Sequence, residues 1–199
     1  MTKSKRIILA STSPFRKKIL DDAGLGFDAM APVGDEKTIT GLPPAFLAAK
    51  RAEFKAIDVA RHAPPDSLVI GADQVLSLEG ESFDKAETEG EARERLQQFR
   101  GKTHTLHSAF CLVEVHHSGS CETVFETVID VPMTMKNLTD QEVEDYLATC
   151  EWQGCVGCYR AEGEGRKLFA KIGGDTSAVI GLPLKELMAA IIKYQGSQV

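Results

Sequence analysis

No apolar run in this sequence approaches the roughly 18 residues that a membrane-spanning helix needs. Ahead of the first helix, Ile7, Ile8, Leu9 and Ala10 form a run too short for the hydrophobic region of a secretory signal. Positive charge is not in excess: 23 Lys and Arg stand against 29 Asp and Glu, a formal net charge of -6. That balance excludes a general coat for nucleic acid, which needs many exposed cations. Cysteine is scarce and odd in number, five residues clustered late (Cys111, Cys121, Cys150, Cys155, Cys158), which does not suit a secreted disulfide framework. Internal repeats and low-complexity linkers are missing too. These absences lead us to expect a cytoplasmic protein without a membrane or nucleic acid partner. The chain of 199 residues, 43% hydrophobic, suits one domain, or two small lobes sharing a sheet.

What is present is a run of alternating elements. In "RIILASTSPFRKKIL" a short apolar strand meets Ser13 and Pro14, a hydroxyl cap followed by proline at the first helical position. Gly24 stops that helix. A second, alanine-rich helix is expected from about Pro44 to His62, closed by Pro64 and Pro65. "SLVIGADQVLSL" is nearly all apolar and reads as a strand buried on both faces, turned back at Glu79 and Gly80. Thr88 with Glu91, and Thr139 with Glu142, have capping-box spacing ahead of amphipathic helices. Between these helices two long strands meet at a turn over Ser118, Gly119 and Ser120. A last helix from Pro183 carries a stripe of Leu184, Leu187, Met188, Ile191 and Ile192. The class is α/β with a mixed sheet.

Two places carry chemistry. The helix start at Ser13 offers unpaired N–H groups and partial positive charge, to which Ser11, Ser13 and Arg16 add donors suited to phosphate. The same stretch also reads as a plain Ser-Pro cap with surface cations. Asp73 sits in the middle of the buried strand, where an ionised carboxylate is costly without a cation, metal or donors. Catalysis and a structural ion pair to a lysine both answer that. Glu36, in the loop "VGDEKT", could supply a second oxygen suited to Mg2+, and reads equally as a solvated loop acid. Lys55, on the inward turn of the second helix, and Lys85, just past the hairpin, are single cations.

Taken in order, "LASTSPFRKKIL", the Asp35-Glu36 loop, "AEFKA", "GADQVLSLEGESFDK", "GKTHT", "GCYRAEGEG" and "GDTSAVIGLPL" resemble the motifs of the Maf family of nucleoside triphosphate pyrophosphatases. The resemblance runs from about residue 7 to residue 190. It implies a single Maf-like domain over 1–199, an elongated mixed sheet flanked by helices, and two lobes around a central cleft. It also implies a divalent metal, Mg2+ or Mn2+, and a homodimer. The reaction would cut a nucleoside triphosphate between the α and β phosphates, releasing pyrophosphate. Carried over by position, Ser11 and Arg16 match phosphate-binding residues, Glu36 the loop acid, and Lys55 and Lys85 the two site lysines. Asp73 matches the proton acceptor, and it would serve the metal, the water or both.

Three positions depart from the common pattern, Phe15, Gln74 and Glu162, and together they resemble the branch that prefers 7-methyl-GTP. N7-methylation makes guanine cationic, so an aromatic face gains about 0.5 to 2 kcal/mol of cation–π attraction, and Glu162 can accept from its N–H edge. Phe15 as a core residue and Glu162 as a solvated acid are the plain alternatives. Other open readings are dTTP, UTP, CTP or unselective turnover, and a regulator of cell division that binds nucleotide without cutting it. Ala86 stands where the family usually has proline, which bears on the reach of Lys85. Cys155 and Cys158 invite a zinc or redox role, but neither a four-ligand set nor a thioredoxin-like setting is complete. His104 and His107, three apart on a strand, fall on opposite faces and cannot chelate together.

Overall fold

The computed structural model describes residues 5–196. The chain runs β1 (Arg6–Ala10), α1 (Pro14–Asp22), β2 (Asp28–Met30), a 3-10 turn (Glu36–Thr38), α2 (Pro44–Ala60), β3 (Ser67–Leu78), β4 (Glu81–Phe83) and α3 (Glu89–Phe99). It continues with β5 (Thr103–Val115), β6 (Cys121–Met135), α4 (Asp140–Leu147), a second 3-10 turn (Glu164–Leu168), β7 (Phe169–Ile172), α5 (Thr176–Ile180) and α6 (Leu184–Gly196). Seven strands form one mixed sheet in the order β2-β1-β3-β5-β6-β7, with β4 on β3. β1 lies parallel to β2 and β3, and the other pairs are antiparallel. No described helix is long and apolar enough to cross a membrane.

β3 organises the molecule. Every residue of it is buried except Gln74, so it reads as apolar on both sides. Val69 and Val75 pack on Ala48, Ala52 and Ala56 of α2. Leu68, Ile70 and Ala72 point the other way, onto Ile19 and Leu20 of α1 and Leu187 and Ile191 of α6. Further along, Leu76 and Leu78 join Leu96 and Phe99 of α3 and Val143 and Leu147 of α4 in a third cluster. The core is thus split between two lobes that share the long strands.

A notch opens between the lobes on one edge of β3. β1 last pairs with it at Ala10, opposite Gly71, whereas β4 first pairs at Leu76, opposite Phe83. Residues 72–75 of β3 have no strand partner on that side, and the ends of β1 and β4 run toward the gap from opposite directions. On its other edge β3 is paired with β5 throughout, from Ser67 to Ser77.

Gly71 sets how closely α2 approaches this strand. A Cβ there would lie 2.6 Å from the backbone N of Ala56 and 2.7 Å from its Cβ, and closer still to the carbonyl oxygen of Ala52. Those contacts straddle Lys55, so the missing side chain is what lets the lysine reach Asp73 two residues further along the same face. Gly71→Ala should therefore push α2 outward at a cost of about 1 to 3 kcal/mol, lowering the melting midpoint by several degrees and reducing turnover with it. An unshifted melting curve would show that the helix is not held at this distance by packing.

Several expectations are corrected in detail. α2 ends at Ala60, with Arg61 as its cap, short of His62. Thr139 and Glu142 form a complete capping box, but Thr88 forms half of one: it accepts from the N–H of Glu91, whose carboxylate takes the N–H of Glu87 instead. In α6, Ile192 is 65% exposed and Ala190 takes the inward place beside Leu187 and Ile191. His104 and His107 do separate: His104 bonds Tyr159 Oη at 2.6 Å, while His107 bonds Ser77 Oγ at 2.8 Å and Asp130 at 2.6 Å.

Candidate active site

At the floor of the notch Lys55 Nζ lies 2.6 Å from Asp73 Oδ1 and 2.9 Å from Glu36 Oε1. Asp73 is 8% and Lys55 7% exposed, so both charges are buried. Each would be expensive alone, and each compensates the other. Asp73 Oδ2 makes no hydrogen bond among the described residues, which leaves it free for a water or a cation. Lys55 is thus the ion-pair partner that a buried Asp73 requires.

The loop that delivers Glu36 is fastened to α2. Asp58 of that helix accepts from the N–H of Val33 at 2.6 Å and of Gly34 at 3.3 Å. Asp35 caps the short turn by accepting from Lys37 N–H at 2.9 Å, so it is occupied locally while Glu36 reaches inward. Burial by itself raises the Glu36 carboxyl, but the hydrogen bond and charge of Lys55, with help from Arg51, hold it below its ordinary value. Glu36 and Asp73 offer oxygen donors alone, the kind a hard divalent cation takes. Among the described residues no group of three or more His, Cys, Asp or Glu is arranged to hold a metal.

One wall comes from the end of β1 and the start of α1. Ser11, 6% exposed, accepts from Ser13 N–H at 3.1 Å, and Ser13 caps the helix by accepting from Arg16 N–H at 3.5 Å. Both hydroxyl hydrogens stay available to a ligand. Arg16 donates through Nε to the carbonyl of Gly181 at 2.9 Å, which fixes the guanidinium and leaves its terminal nitrogens uncommitted. Burial pulls the Arg16 pKa down while Asp73 and then Glu36 push it up, so the guanidinium lies within electrostatic reach of both acids. Gln74, on the opposite face of β3 from Asp73, donates from Nε2 to the carbonyls of Ala178 and Val179, both at 3.0 Å. It ties α5 to the sheet and so helps hold Gly181, whose φ of +117° suits glycine, against Arg16.

The other wall holds Lys85, Arg160 and Glu162. Lys85 is exposed in the loop after β4 and has no ion pair among the described residues. Its neighbour Asp84 lies 3.9 Å from Arg51 of α2. Burial raises the Cys155 thiol, with Arg160, Glu162 and Lys85 all within electrostatic reach of it. Burial raises the Cys158 thiol as well, the reverse of what a redox or zinc-bound thiolate needs. Phe15 is half-buried rather than part of the core, with the Arg160 guanidinium over its ring at 5.2 Å from the centroid. Arg160 Nε lies 3.8 Å from Glu162 Oε1.

Arg51, Arg160 and Gly181 were not anticipated as site residues. Arg51 had a signal, since it stands one helical turn before Lys55 on the same face. Nothing in the sequence singled out Arg160 from its motif or Gly181 from the other glycines. Two hollows of about 500 and 440 Å³ lie elsewhere, on the outer face of α2 and beside β2 and α6, and include none of Ser11, Arg16, Glu36, Lys55, Asp73 and Lys85.

Comparison with known proteins places the chain in a family. The family model described as Maf-like protein matches residues 6–194. A 7-methyl-GTP pyrophosphatase of Rhizobium meliloti is 39% identical over 193 residues, covering 93% of this chain and 94% of that one. A protein of the same name from Brucella suis is 38% identical over 194 residues, covering 94% of each. A nucleoside triphosphate pyrophosphatase of Rhodopseudomonas palustris is 39% identical over 192 residues, covering 92% of this chain and 90% of that one.

Proposed function

The chain belongs to the Maf family over residues 6–194, and from that premise we propose that it is a nucleoside triphosphate pyrophosphatase. It hydrolyses the anhydride between the α and β phosphates, giving a nucleoside monophosphate and pyrophosphate, and prefers 7-methyl-GTP. Relatives of 36 to 39% identity bear both the specific and the general name, which supports the reaction and the preference together. The observation that carries the reading is the buried Asp73–Lys55 pair, joined by Glu36, at the floor of a notch walled by a capped helix start and Arg16.

In this reading the triphosphate lies across the notch, its oxygens meeting Ser11, Ser13, Arg16 and the α1 N-terminus on one side and Lys85 on the other. Lys55 orients Asp73 through Oδ1, so that Oδ2 can take a proton from the attacking water. Glu36 and Asp73 would hold Mg2+ or Mn2+, and with only two carboxylates supplied, nucleotide phosphates and waters would complete its shell. Such an ion would neutralise phosphate charge as it develops in the transition state. Phe15 and Glu162 would receive the cationic base, while Gln74 would act through its hold on α5.

A panel of triphosphates tests the reading. Purified protein with Mg2+ or Mn2+ should release pyrophosphate, with kcat/KM for 7-methyl-GTP above that for GTP, UTP, CTP and dTTP. Turnover favouring a pyrimidine would overturn the base preference, and tight binding with no turnover of any of them would make the protein a nucleotide-binding regulator.

A further inference from the structure

We propose that Arg160 is an internal stand-in for the nucleobase: in the free protein its guanidinium occupies the Phe15 face and the Glu162 carboxylate, and the incoming base displaces it. The inference rests on the reading of Phe15 and Glu162 as the base site. A guanidinium is a planar, delocalised cation with an N–H edge. An N7-methylated guanine presents the same features, a positive π-system and an N–H edge. Arg160 sets them against the same two groups, the ring at 5.2 Å and the carboxylate at 3.8 Å. Because Phe15 is half-buried, its free surface is limited, and a cation over it competes with a stacked base.

The side chain is also held loosely on a fixed backbone. The backbone N–H of Arg160 donates to Tyr146 Oη at 2.9 Å. Gly165 packs so closely that a Cβ on it would lie 2.9 Å from the backbone N of Arg160. By contrast Arg160 Nε is buried without a hydrogen-bond partner, and the side chain makes no hydrogen bond among the described residues. The guanidinium can swing away while its anchor stays, and leaving exposes no broken hydrogen bond.

Such an occupant reduces apparent affinity by the fraction of molecules whose site is open. Arg160→Met keeps the apolar stem and the backbone hydrogen bond, and should lower KM by about two- to thirtyfold, the range that removing a cation–π competitor implies. Arg160→Lys, which keeps charge without the planar fork, should fall between. In a Phe15→Leu background the gain from Arg160→Met should shrink, because the guanidinium has lost its seat. Steady-state kinetics with whichever triphosphate the wild-type protein turns over best, alongside melting curves for each variant, provide the test. A KM unchanged or raised in Arg160→Met, with melting unaltered, would overturn the proposal and assign Arg160 to the surface or to substrate contact. A wild-type protein without preference for 7-methyl-GTP would defeat the base reading separately, since the Arg160 comparison uses any substrate.

Discussion

Asp73→Asn should lower kcat by about two to four orders of magnitude, the usual contribution of a positioned general base, while the melting midpoint stays within a few degrees of wild type. Asparagine matches aspartate in shape, and its Oδ1 can still accept from Lys55, which keeps its second partner Glu36 at 2.9 Å. The packing around β3 is therefore preserved, and what is lost is a negative oxygen able to accept a proton. If a cation shares that oxygen, its loss deepens the defect. Initial rates of pyrophosphate release beside melting curves would separate the two effects. A variant retaining a tenth or more of wild-type kcat would remove Asp73 from the chemistry.

Lys55→Met should damage both activity and stability. Methionine fills similar volume but leaves Asp73, 8% exposed, with no cation at Oδ1. Removing one partner of a buried pair typically costs about 3 to 5 kcal/mol, equivalent here to a fall in melting midpoint of about 6 to 20 °C. The deficit should depend on pH. Burial raises the Glu36 carboxyl, but the hydrogen bond and charge of Lys55 hold it below its ordinary value, so Lys55 contributes stability that is present above the unfolded-state pKa and lost as pH falls. The gap between variant and wild type should accordingly narrow on acidification and widen toward neutral pH. Added Mg2+ should narrow it too if Glu36 and Asp73 take a cation in place of the ammonium. A melting midpoint within about 2 °C of wild type at neutral pH would mean that Lys55 is not what compensates Asp73.

Much of this site was legible in the sequence for physical reasons. A single carboxylate in an otherwise apolar strand demands a partner, which pointed to Asp73, and a lysine on the inward turn of an alanine-rich helix is equally conspicuous. The Ser-Pro junction showed as a helix start because hydroxyl cap and proline act locally. The register of the sheet was not legible. Only pairing shows that β1 ends at Ala10, opposite Gly71, and β4 at Phe83, opposite Leu76, and the gap between those positions makes the notch. Nor could sequence show that Gln74 ties down α5 or that Arg160 lies on Phe15, contacts between residues 104 and 145 positions apart. The shift in α6 has the same origin: Ala190 and Ile192 are both apolar, and packing against α1 and β3 decides which faces inward.

The most direct test is to follow 7-methyl-GTP, with GTP alongside, by phosphorus NMR during hydrolysis by the wild-type protein in Mg2+. Nucleoside monophosphate and pyrophosphate should accumulate in equal amounts, and both signals should all but vanish with Asp73→Asn. Orthophosphate and a nucleoside diphosphate as the first products, or equal rates for wild type and Asp73→Asn, would contradict it.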